Sequence, residues 1–162
     1  MTEHVLTIDL GTSGPKVALF TMAGDYVDGD FTPVDLTLLS DGGAEQSPDA
    51  WWRGIVEAAQ RTMARGSVRP DDVAAVAVTS QWSGTVPIDR DGEPLHDAII
   101  WMDARGADDV KRAAGGLVRV QGYEPRKLRT WIKLTGGAPA LSGKDSIAHV
   151  LWLQRAEPAV AQ

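Results

Sequence analysis

The sequence predicts an α/β fold, a mixed sheet with helices packed against it, and three observations carry that prediction. The chain opens with three short strand-like runs joined by tight turns. A strongly capped helix follows. A second apolar run then reads as a further strand of the same sheet.

Val5-Leu6-Thr7-Ile8-Asp9-Leu10 is apolar and ends in Gly11, as a buried strand would. Gly11-Thr12-Ser13-Gly14 is a turn, and Lys16-Val17-Ala18-Leu19-Phe20 is a second strand. The connection is too short for a parallel crossover, so the two must pair antiparallel. Ala23-Gly24-Asp25 turns the chain into a third strand from about Tyr26 to Thr32. Ser47-Pro48-Asp49 starts a helix, with Ser as cap, Pro at the first helical position and an acid in the first turn. Trp52, Ile55, Val56, Ala59 and Met63 follow at helical spacing as its apolar face, and Gly66 is the stop.

Val73 to Val78 reads as an inner strand. Thr85-Val86-Pro87-Ile88 and Ala98-Ile99-Ile100-Trp101 form a strand pair about the turn Asp89-Arg90-Asp91-Gly92. A helix follows Asp103 and ends near Gly115-Gly116. The last third is less regular until a helix over Ser146–Glu157, with Ile147, Val150 and Leu151 on one face and Pro158 beyond it.

Composition narrows the function. Hydrophobic residues make up 43 % of 162, enough for a core. No cysteine is present, which excludes disulfides, thiol catalysis and cysteine–zinc sites. The formal charge of −6 argues against a nucleic-acid partner. The one basic cluster, Arg126, Lys127, Arg129 and Lys133, reads as a solvated helix or loop face. No apolar stretch is long enough to cross a membrane, and Met1-Thr2-Glu3-His4 lacks the start of a signal peptide, so a cytoplasmic protein is expected. His4, His96 and His149 are too scattered for a metal site and read as structural or surface residues. Ser13 and Ser83 have no histidine nearby in sequence, which leaves a hydrolase triad unsupported.

The most informative stretch is Asp9-Leu10-Gly11-Thr12-Ser13-Gly14-Pro15-Lys16. Glycines at Gly11 and Gly14 let backbone N–H groups approach phosphate oxygens, and Thr12 and Ser13 add hydroxyls. Asp9, at a strand end, suits Mg²⁺, which takes oxygen ligands and keeps much of its water. Lys16 adds positive charge. The alternative is a plain hairpin with a Gly- and Ser-rich turn. The spacing does not fit a dinucleotide fold, and Gly143-Lys144-Asp145 does not fit a P-loop.

This loop resembles the first phosphate motif of the actin, Hsp70 and sugar kinase superfamily. Within it the chain is similar to the FGGY carbohydrate kinases, which include xylulokinase, gluconokinase, ribulokinase and glycerol kinase, and is taken as xylulokinase-like. Glu45-Gln46-Ser47-Pro48-Asp49-Ala50-Trp51-Trp52, Thr79-Ser80-Gln81-Trp82-Ser83-Gly84-Thr85, Ala98-Ile99-Ile100-Trp101-Met102-Asp103-Ala104-Arg105 and Ser142-Gly143-Lys144-Asp145 resemble family segments in the same order.

The resemblance implies a ribonuclease H-like fold, a mixed five-stranded sheet with flanking helices, here truncated. Residues 1–162 would be the N-terminal part of the family's N-terminal domain, with the C-terminal ATP-binding domain outside this chain. It implies ATP and Mg²⁺ as cofactors and a small sugar or polyol as acceptor, and leaves a homodimer open for the full-length protein. Gly11, Thr12, Ser13, Gly14 and Lys16 would hold the ATP phosphates and Asp9 the metal. Gln81, Trp82 and Ser83 would line the acceptor side, Trp101 would pack on its carbon skeleton and Asp103 would accept its hydroxyl hydrogens.

Each residue has a plainer role open to it. Trp101 can be core, Asp103 a helix cap, Arg105 its ion-pair partner and Gln81 a strand-end hydrogen bonder. Trp51, Trp52, Trp131 and Trp152 read as core or interface. Pro15 removes one N–H from the loop. Trp82 and Ser83 depart from the family's usual sugar turns, and the missing charge at Ser83 argues against glycerol, with xylulose the weak default. The resemblance places the general-base Asp and a second phosphate loop downstream, so this chain alone is expected to be inactive. A non-catalytic sugar-sensing or scaffold module of the same superfamily, and an unrelated α/β binding domain, are the alternatives.

Overall fold

The computed structural model describes residues 3–161; Met1 and Thr2, read above for a leader, lie outside them. In chain order the elements are β1 (His4–Gly11), β2 (Gly14–Thr21), β3 (Tyr26–Phe31), β4 (Thr37–Leu38), β5 (Ala44–Gln46), α1 (Pro48–Ala64), β6 (Val73–Ser80), β7 (Ala98–Ile99), α2 (Ala107–Ala114), α3 (Pro125–Thr135) and α4 (Ser146–Ala156). The chain divides into two compact units, Met1–Leu36 with Gln46–Gln81, and Thr37–Glu45 with Trp82–Gln162.

The first unit is the predicted mixed sheet, in the order β3-β2-β1-β6. β1 and β2 pair antiparallel with Gly11 opposite Gly14, and β1 and β6 pair parallel. On β2, Pro15, Val17 and Leu19 alternate toward one buried face, the period-two pattern of a strand covered on that side. α1 covers β2 and β3. Full burial of a side chain such as Leu19 stabilises the fold by about 1.5–3 kcal/mol.

α1 starts where the sequence said: the Ser47 hydroxyl accepts from Ala50 N, with Pro48 just inside the helix. Its buried stripe differs from the expected one. Trp51, Gly54, Ala58 and Thr62 face the sheet, Trp52 is exposed, and Ile55, Val56, Ala59 and Met63 flank the stripe half-buried. The apolar residues span more than one face of the helix. The small residues Gly54 and Ala58 mark the side that comes closest, since a Cβ at Gly54 would sit 3.0 Å from the Pro15 ring.

At the helix end Arg65 binds Asp28 and Asp30 of β3 through 3.0 and 2.8 Å contacts. These hydrogen bonds hold both carboxyls below the ordinary carboxylate range, joined at Asp28 by Ser67 and at Asp30 by Arg61.

β6 is a correction. Read as an inner strand from its apolar run, it lies at the sheet edge among the described residues, with Val76 and Val78 exposed. Composition reports how apolar a strand is, not how many neighbours it has. The principal sheet accordingly has four strands among the described residues where the resemblance implied five.

Among the described residues the second unit holds a small sheet, β4-β5-β7, and the helices α2, α3 and α4. Ile99, Trp152 and Leu153 form its core cluster, and α2 packs on α4 through buried Val110 and Ala114. Asp109 of α2 accepts from Arg155 of α4 at 2.8 Å.

The predicted pair between Thr85–Ile88 and Ala98–Trp101 is reduced to β7 and the bridges Thr85–Ile99 and Ile88–Pro94. Pro87 and Pro94 lack the N–H groups a continuous ladder needs. The predicted turn is present, with Asp89 accepting from the Asp91 and Glu93 amides.

α4 buries Ala148, His149, Trp152 and Leu153, while Val150, read as part of one apolar face with Ile147 and Leu151, is exposed. α3 was missed: its Glu124 cap, Pro125 start and left-handed Gly136 stop are ordinary helix boundaries, but its exposed apolar residues mask any single face. The basic cluster lies on this helix and is exposed, as read.

Candidate functional site

The hairpin of the first unit assembles the expected phosphate-side residues. Asp9 sits opposite Lys16, and Nζ approaches Oδ2 to 3.4 Å with both side chains about half exposed. Thr12 and Ser13 form the two-residue turn, with Ser13 exposed. Gly14 has φ +133°, and a Cβ there would lie 2.0 Å from the Thr32 carbonyl, so only glycine fits. Thr32 N donates to Pro15 O and Val34 N to Ser13 O, both at 3.1 Å, which backs the turn with the chain leaving β3.

Pro15 lies buried and lacks an N–H to offer a ligand. Asp9 is half exposed, so its carboxylate carries no burial cost for a cation to offset. Its case rests on position. Asp9 and Lys16 border an open concavity of about 520 Å³ lined also by Thr7, Ile8, Ala18, Phe20, Ala77, Val78 and Thr79.

The hydroxyl of Thr12 donates to Gln81 Oε1 at 3.0 Å, Gln81 Nε2 to Gln46 Oε1 at 3.1 Å, and Gln46 Nε2 to the Thr12 carbonyl at 2.8 Å. Gln81 N also donates to Leu10 O at 2.8 Å. This closed ring locks the turn to the end of β6 and occupies both ends of the Gln81 amide. Gln81 therefore acts as the strand-end hydrogen bonder. The Thr12 hydroxyl is a brace, and Ser13 supplies the exposed one. Gln46, 1 % exposed, is a member sequence reasoning missed. Its one local signal is its place just before the Ser47 helix cap.

In the second unit Trp82 is 69 % exposed and Trp101 39 % exposed, so neither is core. Ser83 takes a left-handed conformation at φ 55°, and its hydroxyl lies 3.4 Å from that of Ser146. Asp103 departs from expectation. Its carboxylate is buried, accepting from Ala44 N and from the Arg105 backbone and Nε, each at 2.9 Å.

Asp103 therefore does not present itself to a sugar, and it is not a cap either, since Gly106 occupies that position on α2. Arg105, its side chain 5 % exposed, also reaches Glu45 Oε1 at 2.6 Å and stacks 3.8 Å over the Trp152 ring. Burial opposes its charge, but its hydrogen bonds to Asp103 and Glu45 and their negative charges outweigh that and hold the pKa of the guanidinium above its ordinary value. The W-x-D-x-R stretch thus ties β5 to the turn after β7 and carries Trp101 on it.

No group of three or more His, Asp or Glu side chains able to hold a metal exists among the described residues. A lone, half-exposed carboxylate beside a glycine turn fits the chemistry of Mg²⁺, which takes oxygen ligands and keeps much of its water. No helix of the described residues is long and apolar enough to cross a membrane.

The chain as a whole is similar to known proteins. The chain is 28 % identical over 159 residues to a glycerol kinase from Dichelobacter nodosus, covering 91 % of this chain and 32 % of that protein. The fold matches a xyloylose kinase from Brucella ovis at a TM-score of 0.81 and 20 % identity, covering 98 % of this chain and 30 % of that one. It also matches a xylulose kinase from Rhodospirillum rubrum at 0.79 and 23 %, with the same coverage. The chain thus spans about a third of the length of these proteins. The model of the N-terminal domain of the FGGY family of carbohydrate kinases matches residues 4–162, and the chain belongs to that family.

Proposed function

We propose that the protein carrying this chain transfers the terminal phosphoryl group of MgATP to a primary hydroxyl of a sugar or polyol. The chain would supply one wall of the phosphate site and part of the acceptor site. The observation that carries this reading is the hairpin: a half-exposed Asp9 paired with Lys16 beside the Gly11–Gly14 turn.

In this reading the turn's amides and the Ser13 hydroxyl hold phosphate oxygens, Lys16 offsets their charge and Gln81 with Gln46 keeps the turn in place. Mg²⁺, held by Asp9 and the nucleotide, would neutralise charge on the phosphates. Trp82 and Trp101 offer indole faces to the carbon skeleton of the acceptor, and Ser83 a hydroxyl. Asp103 serves indirectly, fixing the segment that bears Trp101. A cytoplasmic setting supplies MgATP. The charge of −6 fits a small-molecule partner better than a nucleic acid, and a homodimer is compatible with the fold.

Phosphoryl transfer needs groups on both sides of the acceptor, so the 162-residue chain alone is expected to show no turnover. A coupled ADP-release assay on the full-length protein with xylulose, ribulose, gluconate and glycerol tests the reading. ATP-dependent phosphorylation of at least one is expected. Failure with every sugar and polyol, or turnover by the 162-residue chain alone, contradicts it.

A further inference from the structure

The buried face of α4 carries a histidine that the proposed reaction does not use. His149 is 1 % exposed, and its Nδ1 lies 3.0 Å from the Thr85 hydroxyl. Three residues earlier on the same helix, Ser146 meets Ser83 at 3.4 Å. Thr85 is also fixed by its backbone, donating to Ile99 O at 2.8 Å and accepting from Ile99 N at 2.9 Å. Two side chains from one turn of α4 therefore hold the segment on which Trp82 and Ser83 stand. We propose that His149 is a positioning residue for this segment, holding Trp82–Thr85 in place for the acceptor through its bond to Thr85.

This rests on the reading of Trp82 and Ser83 as acceptor-side residues. The chemistry of the ring supports a dedicated role. Nε2 is buried without a well-formed hydrogen bond, although the backbone of Asp103 is close enough to act on the ring. An apolar side chain would avoid that cost, so a histidine kept here for packing alone is a poor choice. Burial lowers its pKa below the ordinary value. Asp103 and Asp145 pull it back up and Arg105 pushes it further down. That direction favours the neutral ring at pH 7, in which Nδ1 can either accept from the Thr85 hydroxyl or donate to it.

Ser83 adds a reason for the clamp. A non-glycine residue at φ 55° is held there only when its surroundings over-determine it. Without the bonds from α4 the turn can relax, and the exposed indole of Trp82 moves with it.

The test uses His149→Leu, His149→Asn and Thr85→Val in the full-length protein. An asparagine amide can stand where Nδ1 does; leucine cannot. His149→Leu and Thr85→Val are each expected to raise the acceptor KM about tenfold, the effect of losing one buried hydrogen bond, and to leave the ATP KM in place. The double variant should be no worse than either single one, and His149→Asn should recover most of the loss.

NMR of the ring nitrogens and of the Ser83 and Gly84 amides reads the clamp without any turnover. A single neutral tautomer is expected, with both amides shifted in His149→Leu and Thr85→Val. Unshifted amides, additive KM effects, or an ATP KM that rises in step with the acceptor KM overturn the proposal. If the wild-type protein phosphorylates no acceptor, the proposed function fails instead, and the amide shifts alone decide whether the clamp exists.

Discussion

Replacing Asp9 with asparagine is expected to lower kcat of the full-length protein by at least about 100-fold, because it removes the anionic group meant to hold Mg²⁺ at the phosphates. Asparagine keeps the size and one oxygen of the side chain, so the hairpin should remain. The Asp9–Lys16 contact is half exposed and 3.4 Å long, a pair whose loss barely changes stability. Activity and folding should therefore separate: kcat collapses while the melting temperature stays within a few degrees. Steady-state kinetics across a Mg²⁺ series checks this, with the variant needing more metal for half-maximal rate. A kcat within threefold of wild type at the same Mg²⁺ would remove Asp9 from the metal role.

Arg105→Leu should produce the largest loss of stability of any single change near the site. The guanidinium is nearly buried and joins two carboxylates, Asp103 and Glu45, that are themselves shielded from water. Removing it leaves both uncompensated, for a cost of about 3–5 kcal/mol in urea unfolding. Arg105→Lys should restore only part of this. An ammonium cannot make the forked contact to Asp103 and Glu45 while lying over the Trp152 ring. A change below about 1 kcal/mol in Arg105→Leu would show that the network is not what holds Trp101 and β5 together.

Most of the fold's architecture can be read from local signals. Short connections forced β1 and β2 to pair antiparallel, and Ser47-Pro48-Asp49 fixed the start of α1, because those constraints act within a few residues. Long-range features were less legible. The exposure of β6, the absence of a full ladder after Thr85, and the burial of Ala148 and His149 in place of Val150 depend on which elements meet. Periodicity does not encode that.

The candidate site divides the same way. The hairpin carrying Asp9, Gly11, Ser13, Gly14 and Lys16 is contiguous in sequence, and its residues come together as expected. The braces do not show in the sequence. Gln46 and Gln81 are 35 residues apart, and Asp103 meets Ala44 across 59. Nothing short of folding reveals that Asp103 faces inward, or that Gln81 spends both ends of its amide on the loop.

The most direct measurement is paramagnetic broadening by Mn²⁺·ADP bound to the full-length protein, read at the amides of Gly11, Thr12 and Ser13. These signals are expected to broaden in wild type and to broaden less in Asp9→Asn at the same Mn²⁺·ADP concentration. Sharp signals from this turn with Mn²⁺·ADP bound would place the phosphates elsewhere and contradict it.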